Sequence, residues 1–190
     1  MRSKWAFAMT GLSLVVLTTQ PAAAAKRALF IDPYGVRATN GTARDLGTFG
    51  AGGIVLPDAG GPDFGFGFLI PKPYKVDSPI RIIFTWSTPD TNCGIVLEPE
   101  FVERSRPAHA VTTGVPSGGL TPENGATVLT APAVASEGGT KVYLLSPSQG
   151  FTQQSDDAIL VAFLRNDSSV NDTCNDDLVI TGIKIEYLTP

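Results

Sequence analysis

Phe64, Phe66, Phe68 and Ile70 alternate with Gly65, Gly67 and Leu69, a period of two that suits a β-strand and not a helix. One face of such a strand is large and apolar. The other is nearly bare, which lets a second backbone approach closely. The same alternation returns where Ile80, Ile82, Phe84 and Trp86 are interleaved with Arg81, Ile83 and Thr85. Further short apolar runs occupy residues 94–98, 126–130, 141–145, 158–164 and 178–187. In the last, Val179, Ile183, Ile185 and Tyr187 are expected on one face, with Lys184 and Glu186 on the other. Residues 158–164 are apolar on both faces, as a central strand requires.

The chain has 20 glycines and 15 prolines, and no long stretch carries a helical repeat, so turns and strands dominate. From Asp63 onward the spacing predicts seven or eight strands. The expected fold is therefore all-β, an antiparallel two-sheet β-sandwich of jelly-roll or Greek-key type. Residues 98–106 are expected to hold a helical turn. Residues 26–62, rich in glycine from Gly47 to Gly61, are expected as a separate N-terminal segment, either a strand set in loops or an assembly arm.

Residues 1–25 read as a cleavable export signal. Arg2 and Lys4 give a basic start, residues 5–17 are uncharged and largely apolar, and Ala22 to Ala25 supply small residues for cleavage after Ala25. The apolar stretch falls short of the ~20 residues that span a bilayer, which disfavours an uncleaved anchor. After the signal, no stretch is long and apolar enough to be a transmembrane segment. Loss of Arg2 and Lys4 leaves 12 basic against 18 acidic residues, a net charge of −6. Such a chain without a basic cluster is a poor partner for nucleic acid. Localisation is expected to be secreted: extracellular, cell-surface or periplasmic.

Cys93 and Cys174 are the two cysteines, and in an exported chain they are most simply one disulfide. A metal pair or two free thiols are the alternatives, but His109 is the single histidine available to complete a metal site.

The runs Phe68-Leu69-Ile70-Pro71, Tyr74 and Pro79-Ile80-Arg81-Ile82-Ile83-Phe84-Thr85-Trp86 resemble an early strand pair of jelly-roll domains found in phage structural proteins and in bacterial secreted proteins of unassigned role. The later runs Ala158-Ile159-Leu160-Val161, Arg165, Asp172-Thr173 and Ile180-Thr181-Gly182-Ile183-Lys184-Ile185-Glu186-Tyr187 are similar to the same domains. The resemblance implies an assembly or attachment module, often trimeric.

Candidate chemistry is sparse. His109 could pair with Ser105 or Ser117, yet no nucleophile-elbow motif is present and no catalytic residue is assigned. Residues 166–177 gather Asp167, Asp172, Asp176 and Asp177 with three asparagines. These oxygens are candidate calcium ligands, although their spacing matches no EF-hand. The alternative is that they cap turns around Cys174. Arg165 is expected to form an ion pair with Asp172 or Asp167. Trp86 continues a buried face, whereas Tyr34, Tyr74 and Tyr143 are candidates for an exposed ligand platform. Asn40, Asn166 and Asn171 head glycosylation triplets that matter only in a glycosylating host.

These features together predict a secreted, non-enzymatic structural or adhesive module, self-associating as a homo-oligomer or surface polymer. The alternative is a lectin-like sandwich that binds a glycan or other ligand, with calcium as the one cofactor to consider.

Overall fold

A computed structural model describes residues 24–32, 36–39, 42–45, 52–105, 126–145 and 155–190; residues 1–23 of the expected export signal, Tyr34, Asn40, His109 and Ser117 lie outside them. The described residues form two antiparallel sheets and contain no helix. The first sheet has the order β3 (Thr42–Asp45), β4 (Gly52–Leu56), β11 (Leu178–Leu188), β6 (Ile80–Ser87), β9 (Gly138–Leu145). β1 (Lys26–Ile31) shares one edge of β11 with β4: β4 pairs with residues 178–180 and β1 with residues 183–188. The second sheet has the order β2 (Arg37–Thr39), β5 (Asp63–Leu69), β10 (Ala158–Arg165), β7 (Gly94–Ser105), β8 (Thr127–Thr130). Strands drawn from residues 26–62 thus take places in both sheets, β1 and β4 on β11 and β2 on β5.

The alternation on β5 and β6 acts as period-two burial requires. Phe64, Phe66 and Phe68 from one sheet, and Ile80, Ile82, Phe84 and Trp86 from the other, all point into the shared core. Phe84 meets Phe163 of β10 across the gap at 4.8 Å, the rings at 89°. Phe64 and Tyr143 each add a ring 5.6 Å from Phe84. Edge-to-face pairs of this kind contribute about 0.5–1.5 kcal/mol each beyond the burial of their area. Trp86 is buried, as expected, and lies opposite Gly139 in the β6–β9 ladder. A β-carbon on Gly139 would stand 2.8 Å from the indole, so glycine is what lets β9 pass over the ring.

Three expectations are corrected. Residues 98–105 form no helical turn; they extend β7 as strand to Ser105. Pro99 breaks the local pattern because it lacks an N–H. The ladder to β10 shifts register between Ala162 and Phe163, so that Glu100 is the extra residue of a bulge. Val179 is not on the face of Ile183 and Ile185: Leu178 and Ile180 are the inward residues there. A register shift between Ile180 and Gly182 inverts the phase of β11 half-way along its length. Tyr74 and Tyr143 form no exposed platform, being 3% and 0% exposed. Each phenol has a backbone acceptor that makes burial tolerable: Tyr74 donates to the Ser78 carbonyl and Tyr143, at 3.2 Å, to that of Leu97.

Candidate functional site: the outer face of the first sheet

Alternation places Lys26, Ala28 and Phe30 of β1 on one face, and the ladder sets Ala28 opposite Glu186 and Phe30 opposite Lys184. On the other side of β11, Arg81 stands opposite Glu186 and Ile83 opposite Lys184. Two cross-strand rows result, Ala28–Glu186–Arg81 and Phe30–Lys184–Ile83, on the face turned away from the core.

Phe30 is 78% exposed, and among the residues whose side chains are described it is the one aromatic ring in that condition. Beside it Glu186 holds three cations. Arg81 Nη1 lies 2.7 Å from Oε2, Lys26 Nζ 3.0 Å from Oε2, and Lys184 Nζ 3.0 Å from Oε1. The carboxylate is sunk at 10% side-chain exposure, whereas the cations remain 36–57% exposed. Hydrogen bonds from Lys26 and then Lys184 hold the Glu186 carboxyl below the usual carboxylate range, against the opposing effect of burial. Exposed ion pairs of this type contribute about 0–1 kcal/mol each to stability, so folding alone places little demand on the cluster. A flat sheet face with one open ring and a group of hydrogen-bonding charges can hold a flat polar ligand. The signal was available in residues 26–31, where a period of two puts Lys26 and Phe30 together; what hid it was the unknown pairing with β11.

The loop at residues 166–177 has a different purpose. β10 ends at Arg165, and the loop then fills the place beside the first half of β7. Asn166 N–H donates to the Val96 carbonyl, Thr173 N–H to that of Gly94, and Val96 N–H to Asp172 Oδ2. Gly94 is required here, since a β-carbon would stand 2.6 Å from the Asn171 carbonyl oxygen. The Cys93–Cys174 disulfide joins the two segments across 81 positions of sequence. Asp90 adds acceptors for the Asn175 and Asp176 amides.

Arg165 is wholly buried at the centre of this arrangement. Nε and Nη2 meet the two oxygens of Asp172 at 3.2 and 3.1 Å, and Nη2 also reaches Asp58 at 2.7 Å. The carbonyls of Leu56 and Asp176 accept from Nη1, and that of Cys174, 2.9 Å from Nη2, shares the N–H groups of Nη2 with the two carboxylates. Burial pushes the Asp58 carboxyl above its ordinary range, with Arg165 opposing and the carboxylates of Asp172, Asp167 and Asp90 reinforcing.

The four aspartates expected to hold calcium are therefore not assembled as one donor set. Asp172 is occupied by Arg165, Asp167 accepts from Gly61 N–H at 3.2 Å, and Asp176 offers its backbone carbonyl to Arg165. Asp177 stands just before β11. Among the described residues, the metal-ligand atoms that do converge are those of Asp90, Cys93 and Cys174, and the two sulfurs are bonded to each other. Tyr34 and His109 lie outside the described residues.

With this geometry established, the likeness to solved structures is informative about the fold. A family 35 carbohydrate binding module from Clostridium thermocellum aligns over 84% of this chain and 97% of its own, with a TM-score of 0.50 and 8% identity. A CBM35 from Paenibacillus barcinonensis aligns over 86% of this chain and 98% of its own, with a TM-score of 0.46 and 12% identity. The enzymatically active domain of bacteriophage CBA120 tailspike protein 4 aligns over 86% of this chain and 19% of its own, with a TM-score of 0.34 and 10% identity. At such identities the first of these shares the β-sandwich fold. No protein-family model and no curated protein matches the sequence. Among the described residues, no helix is long and apolar enough to cross a membrane.

Proposed function

We propose that the chain is a secreted, non-catalytic carbohydrate-binding module that takes a saccharide on the outer face of its first sheet. The observation that carries this reading is Phe30, an open ring beside the polar groups of Lys184, Glu186 and Arg81. A sugar ring has an apolar face that covers an aromatic ring and an equatorial rim of hydroxyls that need hydrogen-bonding partners. Phe30 offers the first and the charged row the second. The fold shared with a family 35 carbohydrate binding module supports the assignment, and the disulfide is consistent with an oxidising destination. The test is a polysaccharide pull-down and calorimetric titration of the exported protein against Phe30→Ala. Binding that disappears in the variant, with an unchanged melting temperature, supports the reading. A panel in which no polysaccharide binds, or in which Phe30→Ala binds normally, refutes it.

A second reading, the self-associating subunit, has one observation in its favour. Leu69 and Leu160 are 63% and 40% exposed and diagonal to each other on the outer face of the second sheet, between Gly67 and Ala158. Light scattering of the protein and of Leu69→Lys separates the two. A concentration-dependent oligomer that Leu69→Lys dissolves favours assembly, and a monomer at all concentrations excludes it.

A further inference from the structure

We infer that Asp90 shields the Cys93–Cys174 disulfide electrostatically, closing it to anionic thiols and leaving exchange to thiols that carry a compensating positive charge. Depth decides where a thiol can attack. Cys174 is 2% exposed, whereas Cys93 and Asp90 are partly exposed, so an incoming thiolate meets Cys93 Sγ. The attack forms a mixed disulfide on Cys93, breaks the bond between the two protein sulfurs and leaves the electron pair on Cys174 Sγ as a buried thiolate. A second external thiolate then displaces Cys93 as thiolate, and the two external thiols leave oxidised as a small disulfide. In the first step the nucleophile and the leaving group are both anions.

Charge opposes both. A carboxylate oxygen of Asp90 lies within 4.8 Å of each sulfur. It is fixed in that position, because Oδ2 accepts from the amides of Asn175 at 2.6 Å and Asp176 at 2.9 Å, the two residues that follow Cys174. The field extends beyond one residue. Asp90, Asp167 and Asp172 all stand close enough to Asp58 to act on its carboxyl, with Arg165 opposing them. Four carboxylates against one guanidinium leave this corner with an excess of three negative charges. Arg165 Nη2 does reach the Cys174 carbonyl, but its charge is already matched by Asp172 and Asp58. A thiolate is therefore repelled as it arrives at Cys93, and the thiolate that forms on Cys174 is opposed by the same carboxylate.

The experiment measures reduction of the disulfide-bonded protein by three small thiols, 2-aminoethanethiol, 2-mercaptoethanol and 3-mercaptopropionate, whose thiolate forms rise stepwise in negative charge. Samples are quenched with iodoacetamide and read by mass spectrometry. Each rate is normalised to thiolate concentration and to the same thiol acting on hydroxyethyl disulfide, which removes differences in intrinsic nucleophilicity. At low salt the normalised rate for 2-aminoethanethiol is expected to exceed that for 3-mercaptopropionate by about tenfold. The ratio should collapse in about 1 M salt, where the screening length is about 3 Å. Asp90→Asn keeps an oxygen acceptor for the two amides and removes the charge, and it should cut the low-salt ratio by about threefold. A ratio near one, or a ratio that salt does not reduce, would overturn the inference on the unaltered chain alone, whatever the stability of the variant. A folded Asp90→Asn with the full ratio would overturn the assignment to Asp90. Rates that do not depend on thiol concentration would also overturn it, since the bond would then open only after unfolding and depth alone would protect it.

Discussion

Asp172 grips Arg165 through both carboxylate oxygens, at 3.2 Å to Nε and 3.1 Å to Nη2, and neither side chain reaches solvent. Seven positions apart in sequence, the two residues close the loop between β10 and β11 onto β7. Removing one partner of such a pair leaves a buried charge without compensation, which costs about 3–5 kcal/mol. Arg165→Met is expected to lower stability by that amount in urea denaturation with the disulfide intact. Arg165→Lys should recover little, because an ammonium cannot supply five donors in a plane. A loss below about 1 kcal/mol in Arg165→Met would show that the pair is dispensable.

The covalent link beside it can be tested separately. Cys93 and Cys174 close a loop of 81 positions, which the chain-entropy account values at about 4.5 kcal/mol. The Cys93→Ser, Cys174→Ser double variant should lose stability near that figure, read as a shift of the urea midpoint at unchanged slope. Mass spectrometry of the protein from its native host should find both thiols oxidised.

Two glycines that look alike in sequence should behave differently. A β-carbon on Gly94 meets the Asn171 backbone oxygen at 2.6 Å, whereas on Gly67 it sits 3.5 Å from that of Ile159, an ordinary contact. Gly94→Ala is expected to cost about 1–3 kcal/mol through displacement of the loop. Gly67→Ala should be neutral or slightly stabilising, since it restricts the unfolded chain. Thermal melts of the two variants side by side decide the matter.

Acid and alkali should act through different residues. The Glu186 carboxyl lies below its ordinary value when folded, so its contribution is complete above the unfolded-state range and is lost as pH falls through the depressed value. Tyr143 is the reverse case. Burial pushes its phenol up to about 12 from 10.0, so its contribution is complete below 10.0 and declines as pH rises toward 12. Urea midpoints followed across pH should show both limbs. Glu186→Gln should flatten the acid limb and Tyr143→Phe the alkaline one, each leaving the other in place.

Much of the architecture was legible because the core rests on alternation, which is local. Phe64 to Phe68 and Ile80 to Trp86 declare their inward faces without reference to any partner. The failures are places where a second strand decides. The bulge after Ile180 inverts β11, and only the ladder to β6 reveals it. Residues 98–106 read as a helical turn until β10 is laid beside them. Tyr143 could have faced either way until its register with Ile82 fixed it inward. The candidate site was illegible for the same reason, since Phe30, Glu186 and Arg81 are far apart in sequence and meet through two ladders. Arg165 was half legible. Its bond to Asp172 is local, but its contacts with Leu56 and Asp58 span more than 100 positions.

The antiparallel ladder sets Lys26 opposite Leu188, so the polypeptide enters and leaves the folded unit at one corner. A bead, tag or carrier domain joined directly before Lys26 or after Leu188 would therefore emerge at the same point, four residues from Phe30. Immobilisation at that corner would crowd the face that carries Phe30. Attachment through an engineered cysteine in the exposed turn at Val134, on a different connection, would leave it open.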